Sequence, residues 1–117
     1  MSKKFLVSIT NAKNDPDKAT VGFVVANAAA SGQETVVFLS VEGAYLGSKG
    51  YADDIHEEGC APLKELMDQF IEAGGKLWVC SPCYKKRSLT EEDLLEGATI
   101  VGGAKVVEFL SQGAASI

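Results

Sequence analysis

The sequence predicts a three-layer α/β domain, with a mostly parallel sheet of about five strands and helices on both faces. Short apolar runs alternate with segments of helical pattern from one end of the chain to the other. These runs are continuously apolar rather than alternating, as expected for parallel strands buried on both faces. The length of 117 residues is enough for one hydrophobic core, so we expect residues 1–117 to form a single domain.

The N-terminal third predicts two strands around one helix. Residues 4–10 form an apolar run that predicts the first strand. Asp15-Pro16 is typical of an N-cap followed by proline at the first helical position, and the Ala- and Val-rich residues 16–30 predict the helix itself. Gly32 suits the left-handed backbone that often ends a helix. Residues 34–40 predict a second buried strand.

Residues 41–59 are the irregular part of the sequence. They contain four glycines and show no sustained period, so we expect a long loop. An ordered loop of about 20 residues in a compact domain is uncommon and is usually functional. Tyr45 and Tyr51 fall in this loop, where they could line a pocket for a small molecule or pack back onto the domain.

The middle of the chain predicts an amphipathic helix over residues 62–73 and a third strand over residues 76–80. Ser81-Pro82 follows the strand directly and predicts a short helix with Ser81 as its N-cap. The apolar stripe of the amphipathic helix consists of Leu63, Leu66, Met67, Phe70 and Ile71.

The C-terminal part predicts two further strands and two further helices. Residues 90–93 have the pattern of a capping box and predict a short helix that extends to Leu95. Residues 98–101 predict a fourth strand, residues 104–111 a helix, and residues 114–117 an edge strand. This alternation favours right-handed crossovers and a flavodoxin-like, doubly wound arrangement. The side chains expected to pack from the last helix are Val106, Val107, Phe109 and Leu110.

Composition and charge exclude several classes of function. Hydrophobic residues make up 46% and charged residues 23% of the chain, which are ordinary values for a globular protein. The net charge of −5 opposes general binding to nucleic acid or to anionic membranes. No apolar run approaches the roughly 20 residues of a membrane span, and the N-terminus lacks a signal-peptide pattern, so we expect a cytoplasmic protein. Three cysteines in such a chain predict catalytic, redox or metal-binding thiols before structural disulfides.

The most informative stretch is Cys80-Ser81-Pro82-Cys83, at the end of the third predicted strand. Ligands and reacting groups gather at the carboxyl ends of strands in open α/β sheets. The predicted helix start and the cationic run Lys85-Lys86-Arg87 should lower the pKa of the Cys80 thiol, so that its thiolate can attack an electrophilic sulfur or hold a persulfide. Cys83 would then act as a resolving thiol. An inert, buried cysteine at the end of an apolar strand is the structural alternative.

Two further groups of residues suggest other chemistry. Cys60, Cys80, Cys83 and His56 are ligand types that suit zinc, but one C-x-x-C without a second close pair does not predict a metal site, so we expect neither a metal nor a cofactor. Gly102-Gly103 could present backbone N–H groups to an anion, or could simply allow a tight turn into the last helix. No Walker or dinucleotide-binding pattern occurs, so nucleotide binding is not predicted.

The chain resembles the DsrE/DsrF-like family of small flavodoxin-like α/β proteins of sulfur metabolism. The resemblance runs over nearly the whole chain and is most specific at Val79-Cys80-Ser81-Pro82-Cys83, before Arg87, and at Gly102-Gly103-Ala104. It implies that Cys80 carries a persulfide and passes it to a partner, since sulfur-relay members have a cysteine there and many have a second one at the position of Cys83. It also implies a trimer or hexamer with the cysteine near a subunit interface, and sulfur donor and acceptor proteins as partners.

We therefore expect a sulfur-carrier or sulfurtransferase-like protein whose chemistry depends on Cys80 and Cys83, and whether it is an enzyme stays open. The residues expected to bind or stabilise the sulfur group are Ser81, Tyr45, Lys85, Arg87, Gly102 and Gly103. Two other functions stay open. One is a non-catalytic binding or assembly module of the same fold, and the other is a thiol–disulfide switch formed by the two cysteines.

Overall fold

A computed structural model describes residues 3–117 of the chain. The strands are β1 (Lys4–Ile9), β2 (Glu34–Leu39), β3 (Lys76–Cys80), β4 (Ala98–Val101) and β5 (Ala115–Ser116). The α-helices are α1 (Pro16–Ala30), α2 (Leu63–Glu72), α3 (Ser81–Lys86) and α4 (Gly103–Ser111). Short 3₁₀ helices occupy Val41–Gly47, Tyr51–Asp54 and Glu91–Asp93. Within residues 3–117, no helix is both long and apolar enough to cross a membrane.

The five strands form one parallel sheet in the order β4-β3-β2-β1-β5, which confirms the predicted α/β class. The connections step in one direction from β1 to β4, and α4 then carries the chain back to place β5 beside β1. This order differs from the 2-1-3-4-5 of flavodoxin itself. Because crossovers are right-handed, the reversed connection puts its helix on the opposite face of the sheet.

The two faces of the sheet are covered unequally. α1 and α2 pack on one face, where Phe23 and Phe70 meet edge to face at 6.0 Å between ring centroids. α4 covers the other face, where Trp78 and Phe109 meet at 5.6 Å. The expectation that Val107 packs there is wrong: its side chain is 65% exposed, because the buried side of α4 is the one that carries Phe109 and residues one turn from it.

Element bounds agree with the predictions where the sequence carries capping and apolar signals. α1 has the predicted bounds, and the Asp15 carboxylate caps it by accepting the Lys18 backbone N–H at 3.2 Å. Gly32 has a φ of 98°, as expected for a residue just past a helix end. β3 and β4 also have the predicted bounds, and β5 forms the predicted edge strand. The stripe of α2 is buried except for Ile71, which is half-buried.

Residues 41–59 are more regular than the long loop predicted from the sequence. Two 3₁₀ helices occupy most of the segment, and the first of them packs on the carboxyl ends of the strands. A Cβ on Gly43 would collide with the carbonyl oxygen of Ile9, and one on Gly47 would lie 2.6 Å from Cγ2 of Val79. Glycine at these two positions therefore lets the backbone lie directly on the sheet edge.

The junction between β3 and α3 has no connecting loop. Cys80 ends the strand and is also the N-cap of α3, so the predicted N-cap, Ser81, is instead the first helical residue. The prediction is wrong by one residue because the extended backbone of Cys80 turns straight into the helix. The predicted capping box is confirmed: the Asp93 carboxylate accepts the Thr90 backbone N–H at 2.8 Å, although the short helix ends at Asp93 rather than at Leu95.

Gly43→Ala should destabilise the protein by about 1–3 kcal/mol, because the added methyl group meets backbone that cannot move without displacing β1. The free energy of unfolding in urea measures this loss. Gly103→Ala is the matched control: it adds the same methyl in open space within a helix, so it should leave stability unchanged or raise it by about 0.4–1 kcal/mol. Equal effects of the two substitutions would contradict the close packing of residues 41–47.

Candidate functional site

The structure brings the two cysteines of the C-x-x-C sequence into contact at the carboxyl edge of the sheet. Cys80 ends β3, and its neighbour in register on β4 is Val101. Cys83 lies one turn into α3, and its Sγ is 2.9 Å from the Sγ of Cys80, in position for an S–H···S hydrogen bond. Both residues are half-buried free thiols. The pair can therefore react with each other or with a group that reaches the sheet edge.

The pKa of Cys80 is raised, which corrects the prediction that it is lowered. Burial is the largest cause, and hydrogen bonding with the Cys83 side chain is the next. The Cys83 backbone N–H and the charge of Arg87 act in the opposite direction, with Arg87 the smaller of the two. The thiol of Cys80 is consequently protonated at neutral pH.

The cationic residues after Cys83 do not surround the sulfurs as the sequence suggested. Lys85 and Lys86 lie in the last turn of α3, away from its Cys80 end, and both are exposed. Arg87 alone folds back: its Nη1 donates to the carbonyl oxygen of Cys83 at 3.1 Å. A helix of only six residues also provides a small dipole. These are the reasons why the expected lowering of the pKa of Cys80 is absent.

Arg87 is fixed by residues of the first 3₁₀ helix. Its Nη2 forms an ion pair with Oε1 of Glu42 at 3.1 Å, and its guanidinium carbon lies 5.8 Å from the ring centroid of Tyr45. Tyr45 stacks on Tyr51 at 5.2 Å between centroids, and Nζ of Lys13 lies 4.7 Å from the Tyr51 ring centroid. The four side chains form a column, called the Lys13–Arg87 column below, that joins three segments over the sheet edge.

A second contact fixes α3 from its buried side. Tyr84 is 1% exposed, and its hydroxyl forms a hydrogen bond with Oγ of Ser48 at 3.2 Å. Burial is the main reason why the pKa of Tyr84 is raised, so its hydroxyl stays protonated. Ser48 follows the first 3₁₀ helix directly. The helix that carries Cys83 is therefore held by residues 42–48 at two points.

The remaining predicted site residues are Ser81, Tyr45, Gly102 and Gly103. Ser81 separates the strand from Pro82 at the start of α3. Tyr45 and Tyr51 pack against the core and also line an open groove, which combines features of the two alternatives predicted for them. Gly102 and Gly103 follow Val101 at the same sheet edge and are exposed. Neither needs to be glycine for the turn, since φ is not in the left-handed region and a Cβ would meet nothing within 4 Å.

Cys60 and His56 do not join the cysteine pair. The exposed His56 ring forms a hydrogen bond with the carbonyl oxygen of Cys60 at 2.8 Å, which closes a local turn. Within residues 3–117, no group of three or more His, Cys, Asp or Glu side chains is arranged to hold a metal ion.

Sequence reasoning missed three residues that organise the site: Glu42, Ser48 and Tyr84. Glu42 and Arg87 are separated by 45 residues, and no spacing pattern links them. Tyr84 carried a weak signal, because a large apolar side chain one turn into a short helix must pack on the sheet below it.

The raised pKa of Cys80 predicts slow alkylation at neutral pH that accelerates as the pH rises. In Cys60→Ser/Cys83→Ser, where Cys80 is the remaining thiol, the midpoint of the rate profile should lie above the ordinary cysteine value of about 8.5. Cys60→Ser keeps Cys83, so mass spectrometry of peptide fragments is needed to follow the alkylation of Cys80 separately. The midpoint for Cys80 in this variant should be higher still. The urea-unfolded protein is the control, and a folded-state midpoint below that of the unfolded chain would contradict this environment.

Comparison with known proteins gives consistent results. A model of the DsrE/DsrF-like family matches residues 3–117. The chain is 33% identical over 110 residues to the uncharacterized protein MJ0989 of Methanocaldococcus jannaschii, covering 93% of each protein. It is 35% identical over 81 residues to the uncharacterized protein MK0008 of Methanopyrus kandleri, covering 69% of this chain and 64% of that protein.

Two solved structures share the fold at low sequence identity. The ychN protein from E. coli has a TM-score of 0.71 and 12% identity, with all of both chains covered. MTH1491 from Methanobacterium thermoautotrophicum, a protein of unknown function, has a TM-score of 0.71 and 14% identity, with 100% of this chain and 98% of that chain covered. The family model spans every described residue and the curated relatives match by sequence, so this chain belongs to the DsrE/DsrF-like family.

Proposed function

We propose that this protein is a sulfur carrier in which Cys80 accepts sulfane sulfur and Cys83 assists its release. The observation that carries the proposal is the 2.9 Å contact between the two sulfurs at the carboxyl edge of the sheet. Membership of the DsrE/DsrF-like family, which is generally linked to sulfur relay, supports the same chemistry. Of the residues predicted to bind the sulfur group, we propose that Ser81, Tyr45, Arg87, Gly102 and Gly103 surround it, whereas Lys85 lies in the last turn of α3, away from the pair.

The loading step requires a donor persulfide or polysulfide. The Cys80 thiolate attacks the outer sulfur of the donor, the donor's S–S bond breaks, and the donor leaves as a thiolate, which gives a Cys80 persulfide. A partner thiolate then takes the outer sulfur and returns Cys80 to the thiolate. Alternatively, the Cys83 thiolate attacks the inner sulfur, which forms a Cys80–Cys83 disulfide and expels hydrosulfide.

A thiol–disulfide switch is the second candidate, and the same sulfur contact favours it. An external disulfide would accept two electrons from the pair, with one S–S bond formed between Cys80 and Cys83 and the external bond broken. Two cysteines three residues apart at a helix start can approach within bonding distance. The two functions differ in whether sulfur is ever held on Cys80.

The first test is the intact mass of the protein after incubation with inorganic polysulfide. Cys83→Ser should gain the mass of one sulfur atom, because the resolving thiol is gone and the persulfide accumulates. Cys80→Ser should lose at least about nine-tenths of the gain seen in Cys83→Ser, because the accepting thiol is gone. Cys60→Ser, which removes a thiol outside the pair, is the matched control and should load like the unsubstituted protein.

The same variants separate the candidate functions. A sulfur gain in Cys80→Ser equal to that of Cys83→Ser would contradict the assignment of Cys80. Loss of two hydrogens in the unsubstituted protein, with no sulfur gain in Cys83→Ser, would favour the thiol–disulfide switch. No mass change in any variant would leave a binding or assembly module.

We further propose that copies of the chain associate as a trimer or hexamer in the cytoplasm, where thiols stay reduced. Exposed apolar side chains on α4 and beside the sheet edge support association: Val107 is 65% and Val41 49% exposed. Light scattering coupled to size-exclusion chromatography measures the mass in solution. A trimer or hexamer that Val107→Glu shifts toward the monomer is expected, and a monomer at every concentration tested would contradict the proposal.

A further inference from the structure

Three cations, Lys85, Lys86 and Arg87, lie at the end of α3. Of these three, Arg87 contacts the cysteine segment, through the backbone of Cys83. Its side chain is 13% exposed, and Nη1 donates to the carbonyl oxygen of Cys83 at 3.1 Å. A guanidinium is always charged near neutral pH, and this charge acts to lower the pKa of Cys80, although burial outweighs it. A partly buried charge is also screened less by solvent than an exposed one.

Glu42 opposes this charge directly. Its Oε1 accepts from Nη2 of Arg87 at 3.1 Å, and its side chain is 39% exposed. A carboxylate in contact with the guanidinium cancels much of the positive potential that would otherwise favour a sulfur anion. The residue before it, Val41, has a φ of 53°, which is costly for a β-branched side chain. The backbone thus bears strain at the point that places Glu42 against Arg87.

One donor of Arg87 has no acceptor in this arrangement. Its Nε is buried and has no hydrogen-bond partner among residues 3–117. Buried donors are nearly always paired, so the unpaired Nε leaves the guanidinium that contacts the Cys83 carbonyl with a donor free for a further acceptor. An anion formed at the cysteine pair would be attracted to this charge.

We propose that Glu42 controls the reactivity of the cysteine pair by neutralising Arg87, which acts as the positioning residue for the sulfur anion. While the ion pair is closed, Arg87 does little to offset the burial that keeps Cys80 protonated; when Glu42 is neutralised or withdrawn, the charge of Arg87 favours the Cys80 anion. The inference rests on the proposed function only in taking Cys80 and Cys83 as the reacting groups. It needs no sulfur donor to be tested.

Few other charged or titratable groups face the pair. The first 3₁₀ helix presents Glu42 and Tyr45, and α3 presents Tyr84, whose hydroxyl is held by Ser48. Lys85 and Lys86 lie at the other end of α3 and are exposed. Lys76, the charged residue of β3, starts the strand that Cys80 ends. Glu42 and Arg87 therefore form the charged pair that can set the reactivity of the sulfurs.

The test measures the alkylation rate of Cys80 against pH in the single-thiol protein Cys60→Ser/Cys83→Ser. Adding Glu42→Gln should move the profile to lower pH and raise the rate at pH 7.5 by roughly three- to tenfold, since one pKa unit is a factor of ten. Adding Arg87→Gln should move the profile to higher pH. With both substitutions, the profile should match that of Arg87→Gln, because Glu42 acts through Arg87.

Three controls make the result specific. Glu72→Gln removes an exposed carboxylate at the end of α2 and should leave the profile unchanged. Arg87→Lys keeps the charge and should restore part of the shift that Arg87→Gln causes. Circular dichroism and urea unfolding check the fold of each variant. If Arg87→Gln does not fold, the shift of the profile in Glu42→Gln, measured against Glu72→Gln, still decides the inference.

An unchanged profile in Glu42→Gln would overturn the inference. It would also be overturned if Glu42→Gln accelerates alkylation by the same factor when Arg87 is replaced by Gln. The outcome is independent of sulfur loading. A shifted profile without polysulfide loading would retain the ion-pair control and reject the sulfur carrier, whereas loading with an unshifted profile would do the opposite.

Discussion

The site depends on the close packing of residues 41–47 against the carboxyl edge of the sheet. This packing is possible because Gly43 and Gly47 present no side chain to Ile9 and Val79. From this position, Glu42 and Tyr45 reach Arg87, and Ser48 reaches Tyr84. The helix that carries Cys83 is thus fixed by contacts that all originate in one neighbouring segment. A small shift of that segment would therefore change the surroundings of both sulfurs.

The energetics of the cysteine pair follow from burial and from internal charge pairing. The half-buried thiol of Cys80, next to a second thiol, resists ionisation, and Arg87 is already paired with Glu42. In the resting state Cys80 is therefore protonated and in hydrogen-bond contact with Cys83, which protects it from indiscriminate alkylation because thiolates are the reactive form. The guanidinium that contacts the Cys83 carbonyl keeps a free, buried donor, so a means of stabilising an anion lies in the same segment.

Much of the fold could be predicted from the sequence, and the reasons are local. Asp15-Pro16, the apolar run before Cys80 and the stripe of α2 each specify an element through capping or periodicity over adjacent residues. The 3₁₀ helices of residues 41–54 could not be predicted, because they are held by tertiary contacts at a sheet edge and have no period of their own. The contact between Cys80 and Cys83 followed from their spacing, but the pKa direction did not, since it depends on burial and on the hydrogen bond with the Cys83 side chain. The start of α3 at Ser81 already places Lys85 and Lys86 in its last turn, away from Cys80, and this could have been deduced from the sequence.

Because no loop separates β3 from α3, the spacing of the two sulfurs is set separately from the surface around them. The spacing of the two sulfurs is set by the backbone of residues 80–83, which begins at Cys80, paired in register with Val101 of β4. Residues 41–54 and the Lys13–Arg87 column form the rim around the sulfurs. Exposed side chains of the rim can therefore change which molecules reach the pair, whereas the spacing of the sulfurs stays set by the backbone that joins them.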